Sequence, residues 1–126
     1  MQTPGTAFVA LGALLGLVSV AAGAFGAHGL RDRLTADQLE VFQTAVRYQM
    51  WHALALLAVG LLQAHVTGRW LGAAGWLFTA GVALFSGSLY LLVLTGWRWV
   101  GPVTPIGGTA LLAGWLCLAA GALWPR

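Results

Sequence analysis

Four long apolar stretches, separated by short polar connections, account for nearly the whole chain. They cover about residues 7–27, 46–64, 70–94 and 105–123. A helix needs about 20 apolar residues to cross the hydrocarbon core of a bilayer, and each stretch is close to that length. Because backbone polar groups in lipid must be satisfied within their own segment, each stretch is expected to be helical. The pattern predicts an all-α membrane protein, a four-transmembrane-helix bundle that forms a single domain over residues 1–126.

The second stretch differs from the others because an amphipathic segment precedes it. Thr35, with Gln38 three residues later, is a capping-box sequence, so a helix should begin near Ala36. Over residues 36–47, apolar and charged side chains fall on opposite faces at helical spacing. We therefore expect an amphipathic interfacial helix at about 36–47 that leads into the second span. The pattern leaves open whether residues 36–64 form one bent helix or two.

Glycine and proline predict two further helix boundaries. Gly68 is expected to end the second helix, because glycine favours the position just after a helix. Thr104 is expected to cap the fourth helix, with Pro105 at its first helical position.

Small residues recur at helical spacing in the first, third and fourth stretches. In lipid they allow two helix backbones to approach closely. We expect them mainly to pack helices within the bundle, with a homo-oligomer formed through the same faces as the alternative. The glycines that would mediate such self-association are Gly12, Gly16, Gly114 and Gly121.

Composition agrees with a membrane location. Of the 126 residues, 60% are hydrophobic and 7% are charged, whereas about a quarter of the residues of a soluble domain are charged. The net charge of +3 is too small and too scattered to indicate nucleic-acid binding. The first stretch is longer than the apolar core of a signal peptide and no basic residue precedes it, so we expect a retained helix. Membrane lipids are therefore the expected partners.

Arginines predict an orientation. The connections at about 28–47 and 95–103 lie on one side of the membrane and hold Arg31, Arg33, Arg47 and Arg98. The other side holds Arg69 and Arg126. Since cytoplasmic loops carry an excess of basic residues, we expect both connections in the cytoplasm and both termini outside.

Most polar side chains lie in the half of the bundle nearest these two connections. Tyr48 and His52, and likewise Ser86 and Tyr90, are four residues apart and can share a helix face. Ionisable residues within a span often mark a functional site. We therefore predict a polar site for a lipid headgroup or a partner helix. Its candidate residues are His28, Arg31, Arg47, Tyr48, Gln49, His52, Ser86, Ser88, Tyr90 and Thr104.

Other functions have less support from the sequence. For His52 we favour a structural role, a hydrogen bond to Ser86, Ser88 or a backbone carbonyl in the bundle core. A small transporter or channel subunit is the alternative function, but it would need a pore between protomers, because no acidic residue lies within a span. No carboxylate, nucleophile elbow or metal-ligand set accompanies His28 and His52. We therefore expect no enzyme activity, no cofactor and no metal.

Six short segments carry a resemblance to a known family. In order they are GAFGAHGL at 23–30, FQTAVRYQ at 42–49, HAL at 52–54, GWLF at 75–78, LFSGSLY at 84–90 and TPIGG at 104–108. Together they resemble the small bacterial membrane proteins classed as domain of unknown function 423, which are similar to a eukaryotic protein called transmembrane protein 256. The resemblance implies a four-helix, multi-pass protein of the bacterial inner membrane. It implies no activity and no functional residue.

Overall fold

The computed structural model describes residues 3–125, and within them the fold is entirely helical. The order is α1 (Thr6–His28), α2 (Ala36–Leu62), α3 (Arg69–Thr95), a short 3₁₀ helix (Arg98–Val100) and α4 (Val103–Leu123). All four α-helices are long and apolar enough to cross a membrane. The predicted all-α membrane fold is confirmed, whereas the predicted limits of the spans stay predictions. Arg126, which entered the orientation argument, lies outside the described residues.

Helices adjacent in sequence pack against each other, α1 on α2, α2 on α3 and α3 on α4. The central helices α2 and α3 carry most of the buried residues, whereas α1 and α4 bury only a few each. The outer surfaces of α1 and α4 are apolar and exposed, for example at Leu17 and Leu116. Such a surface fits contact with lipid. We call the end that holds residues 29–35 and 96–102 the two-loop end.

Two apolar clusters hold the helices together. The larger one lies between α2 and α3 and contains Leu56, Leu71 and Phe78, none of them more than 1% exposed. The smaller one lies at the two-loop end and joins Leu30 to Phe42 and Val93. Because Leu30 belongs to the first connection, this second cluster fixes that connection against α2 and α3.

The start of α2 follows the sequence prediction closely. The Thr35 hydroxyl accepts a hydrogen bond from the Gln38 backbone N–H at 3.1 Å, and Gln38 Oε1 accepts from the Thr35 backbone N–H at 3.0 Å. This is the predicted capping box. The helix then runs without interruption to Leu62. The amphipathic segment and the second span therefore form one helix rather than two.

Two predicted helix boundaries are wrong. Gly68 does not end α2; its φ of 138° belongs to the turn that precedes α3, which only glycine adopts easily. Thr104 does not cap α4, because the helix begins one residue earlier, after Pro102. The 3₁₀ turn that ends at Val100 continues almost directly into α4, and this places Thr104 inside the first helical turn.

The small-residue faces are used within the chain. A Cβ atom at Gly12 would lie 2.7 Å from the Ala53 carbonyl oxygen, one at Gly114 would lie 2.7 Å from the Phe78 ring, and one at Gly121 would lie 2.8 Å from Leu71. These three glycines bring α1 onto α2 and α4 onto α3, as the packing interpretation predicted. They are therefore not free to form a dimer interface. Of the four glycines named for self-association, Gly16 alone has open space beside it.

Candidate functional site

The polar side chains at the two-loop half form two groups with different surroundings. One group lies between the helices, and its side chains, most of them buried or half-buried, bond to one another or to backbone carbonyls. The other lies at the surface of the two-loop end, where charged residues line a groove.

Gln49 joins three helices through its amide group. Its side chain is 3% exposed. The amide Nε2 donates to the Leu15 carbonyl on α1 at 3.0 Å, and Oε1 accepts from the Tyr90 hydroxyl on α3 at 2.6 Å. Since a backbone carbonyl can only accept, the nitrogen must face Leu15, and this fixes the orientation of the amide.

His52 uses both ring nitrogens, Nδ1 within α2 and Nε2 in a contact that joins α2 to α4. Nδ1 lies 2.7 Å from the Tyr48 carbonyl oxygen, and the indole Nε1 of Trp115 donates to Nε2 at 3.0 Å. A carbonyl only accepts and an indole N–H only donates, so a neutral imidazole with its proton on Nδ1 satisfies both. The predicted backbone carbonyl partner is confirmed. No free ring nitrogen remains for a metal ion or a substrate.

Two serines of α3 complete the contacts between helices. Ser86 donates to the Ala45 carbonyl on α2 at 2.7 Å. The Ser88 and Thr104 hydroxyl oxygens lie 2.6 Å apart and join α3 to α4. Within residues 3–125, no buried side-chain nitrogen or oxygen lacks a hydrogen-bond partner. We call this set the buried network; its side chains are Gln49, His52, Ser86, Ser88, Tyr90, Thr104 and Trp115, of which Trp115 is 46% exposed.

The remaining predicted site residues lie outside the buried network. His28 and Arg31 are exposed to the surroundings at the two-loop end. Arg47 faces outward and pairs with Glu40 at 3.0 Å. Tyr48 is half-buried, and its ring lies 4.5 Å from that of Phe85. The structure therefore places six of the predicted residues in the buried network, as four separate hydrogen-bonded contacts. It does not bring His28, Arg31 or Arg47 to them.

A groove of about 350 Å³ opens at the two-loop end between the first turns of α2 and the end of α3. Its polar side chains belong to residues at the start of α2 and in the loop after α3, and its apolar side chains come from the helices themselves. We call it the α2–α3 groove; it is lined by Asp37, Gln38, Val41, Leu92, Val93, Gly96 and Arg98. The polar residues lie toward the two-loop end and the apolar residues lie deeper along the helices, so the groove is amphipathic. We expect it to lie at the membrane boundary, where headgroups meet hydrocarbon.

The two charges of the α2–α3 groove are not paired. Asp37 and Arg98 are both exposed. Across the described part of the chain, the one ion pair within 4.0 Å is Arg47 with Glu40. The groove thus presents a free carboxylate on its α2 side and a free guanidinium beyond the end of α3.

Sequence analysis did not include Asp37, Gln38 or Arg98 among the site residues. In the sequence, Arg98 lies between Trp97 and Trp99. In the structure the rings of these two tryptophans stack with centroids 5.8 Å apart. Exposed tryptophans are typical of the membrane interface. This flanking pair was the available signal, whereas the proximity of Arg98 to the start of α2 requires the packing of α2 on α3.

A second cavity, of about 410 Å³, lies between α2, α3 and α4. Aromatic and aliphatic side chains line most of it, among them Phe85, Leu112 and Trp115. Its histidine, His52, already has both nitrogens engaged in the buried network. No charged residue lines it, and the polar side chains in its lining besides His52 are Tyr48, Thr109 and Trp115, so this cavity has no charge that would bind a headgroup.

Comparisons with known proteins agree with the membrane fold. The family model described as "Protein of unknown function (DUF423)" matches residues 22–108. The chain is 47% identical over 116 residues to a UPF0382 membrane protein of Staphylococcus saprophyticus, which covers 90% of this chain and 94% of the relative. It is 43% identical over 119 residues to the UPF0382 membrane protein YwdK of Bacillus subtilis. That alignment covers 92% of this chain and 95% of the relative. No solved structure matches the chain.

Proposed function

This chain belongs to the DUF423 family of membrane proteins, and we propose that it binds a membrane phospholipid by the headgroup in the α2–α3 groove. The observation that carries the proposal is the pair of free charges, Asp37 and Arg98, above an apolar floor. A phospholipid has the same order of groups, a charged headgroup joined to hydrocarbon. The groove therefore matches the ligand that is most abundant around it.

The depth of the groove supports this assignment. Trp97 and Trp99 flank Arg98 and are exposed, as expected of side chains at the headgroup level. Val41, Leu92 and Val93 continue the lining toward the middle of the helices. A bound headgroup would thus meet Arg98 at the rim, while the start of its acyl chains would lie along these apolar side chains.

The buried network supports the same assignment by elimination. Its side chains already bond to one another or to backbone carbonyls, mostly across two helices, so a ligand would have to displace one of these bonds. A lipid or a partner that approaches the two-loop end meets the groove first. We therefore assign the network to stability and the groove to binding.

Native mass spectrometry of the protein purified with its membrane lipids tests the proposal. Arg98→Gln removes the phosphate donor, and Val41→Trp fills the apolar floor. We expect Arg98→Gln to lower the fraction of protein that retains phospholipid by about fivefold, the equivalent of one partly screened charge contact. Val41→Trp should lower the same fraction because the larger ring excludes the acyl chains. Arg69→Gln is the matched control, because Arg69 is an exposed arginine at the opposite end. Equal lipid retention in wild type and both groove variants would exclude the proposal.

The proposal also includes an orientation, with the two-loop end in the cytoplasm. Support comes from Arg31, Arg33, Arg47 and Arg98 on that side. A single cysteine introduced as Arg33→Cys, in a Cys117→Ala background, reports the side. We expect a membrane-impermeant maleimide to label it only after cell lysis. Labelling in intact cells would place the two-loop end outside.

A further inference from the structure

We infer that the α2–α3 groove selects phospholipids whose headgroup carries a primary amine, the phosphatidylethanolamine class. This inference rests on the proposed function and names the ligand of the same site. Arg98 would bind the phosphate, and Asp37 would bind the ammonium group.

Charge balance in the groove argues for a zwitterionic headgroup. A site for anionic lipids needs an excess of basic groups, whereas this groove is lined by one guanidinium and one carboxylate. Their charges sum to zero, so a headgroup with net negative charge gains from Arg98 but is repelled by Asp37. A headgroup with separated positive and negative charges gains from both.

Hydrogen-bond chemistry argues for a primary ammonium rather than a trimethylammonium group. An ionised carboxylate only accepts hydrogen bonds, and a primary ammonium offers three donors. A trimethylammonium group has no N–H, and proteins usually bind it with aromatic rings. The residues that line the groove include no aromatic side chain, so the groove has the carboxylate that an ammonium needs and lacks the aromatic cage that choline needs.

Gln38 adds to the phosphate side. Its Oε1 is already used, since it accepts from the Thr35 backbone N–H in the capping box. The amide nitrogen Nε2 is therefore the part of Gln38 that is left for the groove, and it is a donor. Together with Arg98 it provides N–H groups for phosphate oxygens, while Asp37 remains the acceptor for the ammonium group.

The competing explanation for Asp37 is a favourable interaction with the N-terminus of α2, which any acidic residue in the first helical turn provides. That role would change stability slightly and would treat all lipids alike. A measurement of lipid preference, rather than of total binding, therefore separates the two roles.

The experiment loads delipidated protein in detergent with an equimolar mixture of dioleoyl phosphatidylethanolamine, phosphatidylcholine and phosphatidylglycerol. Native mass spectrometry then measures the ratio of bound lipids. For wild type we expect the ethanolamine lipid to exceed the choline lipid about fivefold, the equivalent of one exposed charge contact. Asp37→Asn should reduce this ratio to about one, because the amide keeps the size of the side chain and loses its charge. Asp32→Asn is the control, since Asp32 is an acid at the same end that does not line the groove.

The outcomes separate this inference from the proposed function. An unchanged ratio in Asp37→Asn, an equal loss of the ratio in Asp32→Asn, or no preference in wild type would overturn the amine inference and leave headgroup binding intact. If Arg98→Gln and Val41→Trp leave the binding of all three lipids unchanged, headgroup binding itself fails. Since the ratio is measured within one protein sample, a general loss of folded protein in a variant does not alter it.

Discussion

The buried network and the α2–α3 groove lie in the same half of the molecule, but their polar groups are in opposite states. In the buried network, the Gln49 amide bonds to α1 and α3, and both ring nitrogens of His52 are engaged, one within α2 and one with α4. In the groove, Asp37 and Arg98 form no ion pair within residues 3–125. In this protein, free hydrogen-bonding capacity therefore distinguishes the residues suited to binding from those that hold the helices together.

The surroundings explain why the two regions differ. An unsatisfied polar group within hydrocarbon costs several kcal/mol, so polar side chains between transmembrane helices must find partners there. At the headgroup level, water and lipid solvate a charge at little cost. Asp37 and Arg98 can therefore stay unpaired without destabilising the fold. Four substitutions test this division, and their predicted losses of stability decrease from Gln49→Ala to Arg47→Gln.

Gln49→Ala should cause the largest loss of stability. It removes two hydrogen bonds between helices and leaves a cavity where three helices meet. We expect the free energy of unfolding to fall by about 2 kcal/mol, measured by steric trapping in bicelles. The preference among bound lipids should not change. Gln63→Ala, at the other end of α2, is the control, and an equal loss in both variants would show that Gln49 has no special role.

Trp115→Phe should have a smaller effect, because it keeps an aromatic ring beside Phe78 and His52 while it removes the donor to His52 and part of the ring. We expect a loss of about 1 kcal/mol in the free energy of unfolding. A double-mutant cycle with His52→Leu isolates the interaction, which should couple the two residues by a similar amount. The exposed Trp76 provides a control as Trp76→Phe. Additive effects of Trp115→Phe and His52→Leu would mean that the hydrogen bond contributes nothing.

Arg98→Gln should lower lipid binding and leave stability nearly unchanged, the reverse of the two network variants. Since Arg98 is exposed, we expect the free energy of unfolding without added lipid to change by less than about 0.5 kcal/mol. Retention of phospholipid should nevertheless fall about fivefold. A large loss of stability with unchanged lipid retention would reverse the roles of the two regions.

Arg47→Gln should have the smallest effect. It breaks the ion pair with Glu40, in which both side chains are at least half exposed. We expect the free energy of unfolding to fall by less than about 0.5 kcal/mol, and this loss should become smaller as salt is added. Lipid preference should stay as in wild type, and a clear change would extend the binding site beyond the α2–α3 groove.

The sequence predicted the helices well because local patterns determine them. The apolar stretches indicated four helices, and the capping box at Thr35 and Gln38 marked the start of α2. Depth along each span also placed Gln49, His52 and Ser86 in the same half. These inferences need only the spacing of residues along one helix.

The partners of these side chains are not local. Trp115 bonds to His52 from 63 residues away, and its identity depends on how α4 is rotated about its axis. The α2–α3 groove exists only because the end of α3 packs beside the start of α2. Neither the helix rotation nor this contact follows from hydrophobic periodicity, so the groove residues Asp37, Gln38 and Arg98 were not among the predicted site residues.

Lipid-dependent thermal unfolding compares the two regions in one assay. The midpoint is measured for wild type, Tyr90→Phe and Arg98→Gln in detergent, with and without added phosphatidylethanolamine. A ligand that binds only the folded state raises the midpoint. We expect Tyr90→Phe to start lower and to keep the full rise on lipid addition, and Arg98→Gln to start at the wild-type value and to lose most of the rise. A full rise in Arg98→Gln, or none in Tyr90→Phe, would contradict the assignment of stability to the buried network and of binding to the groove.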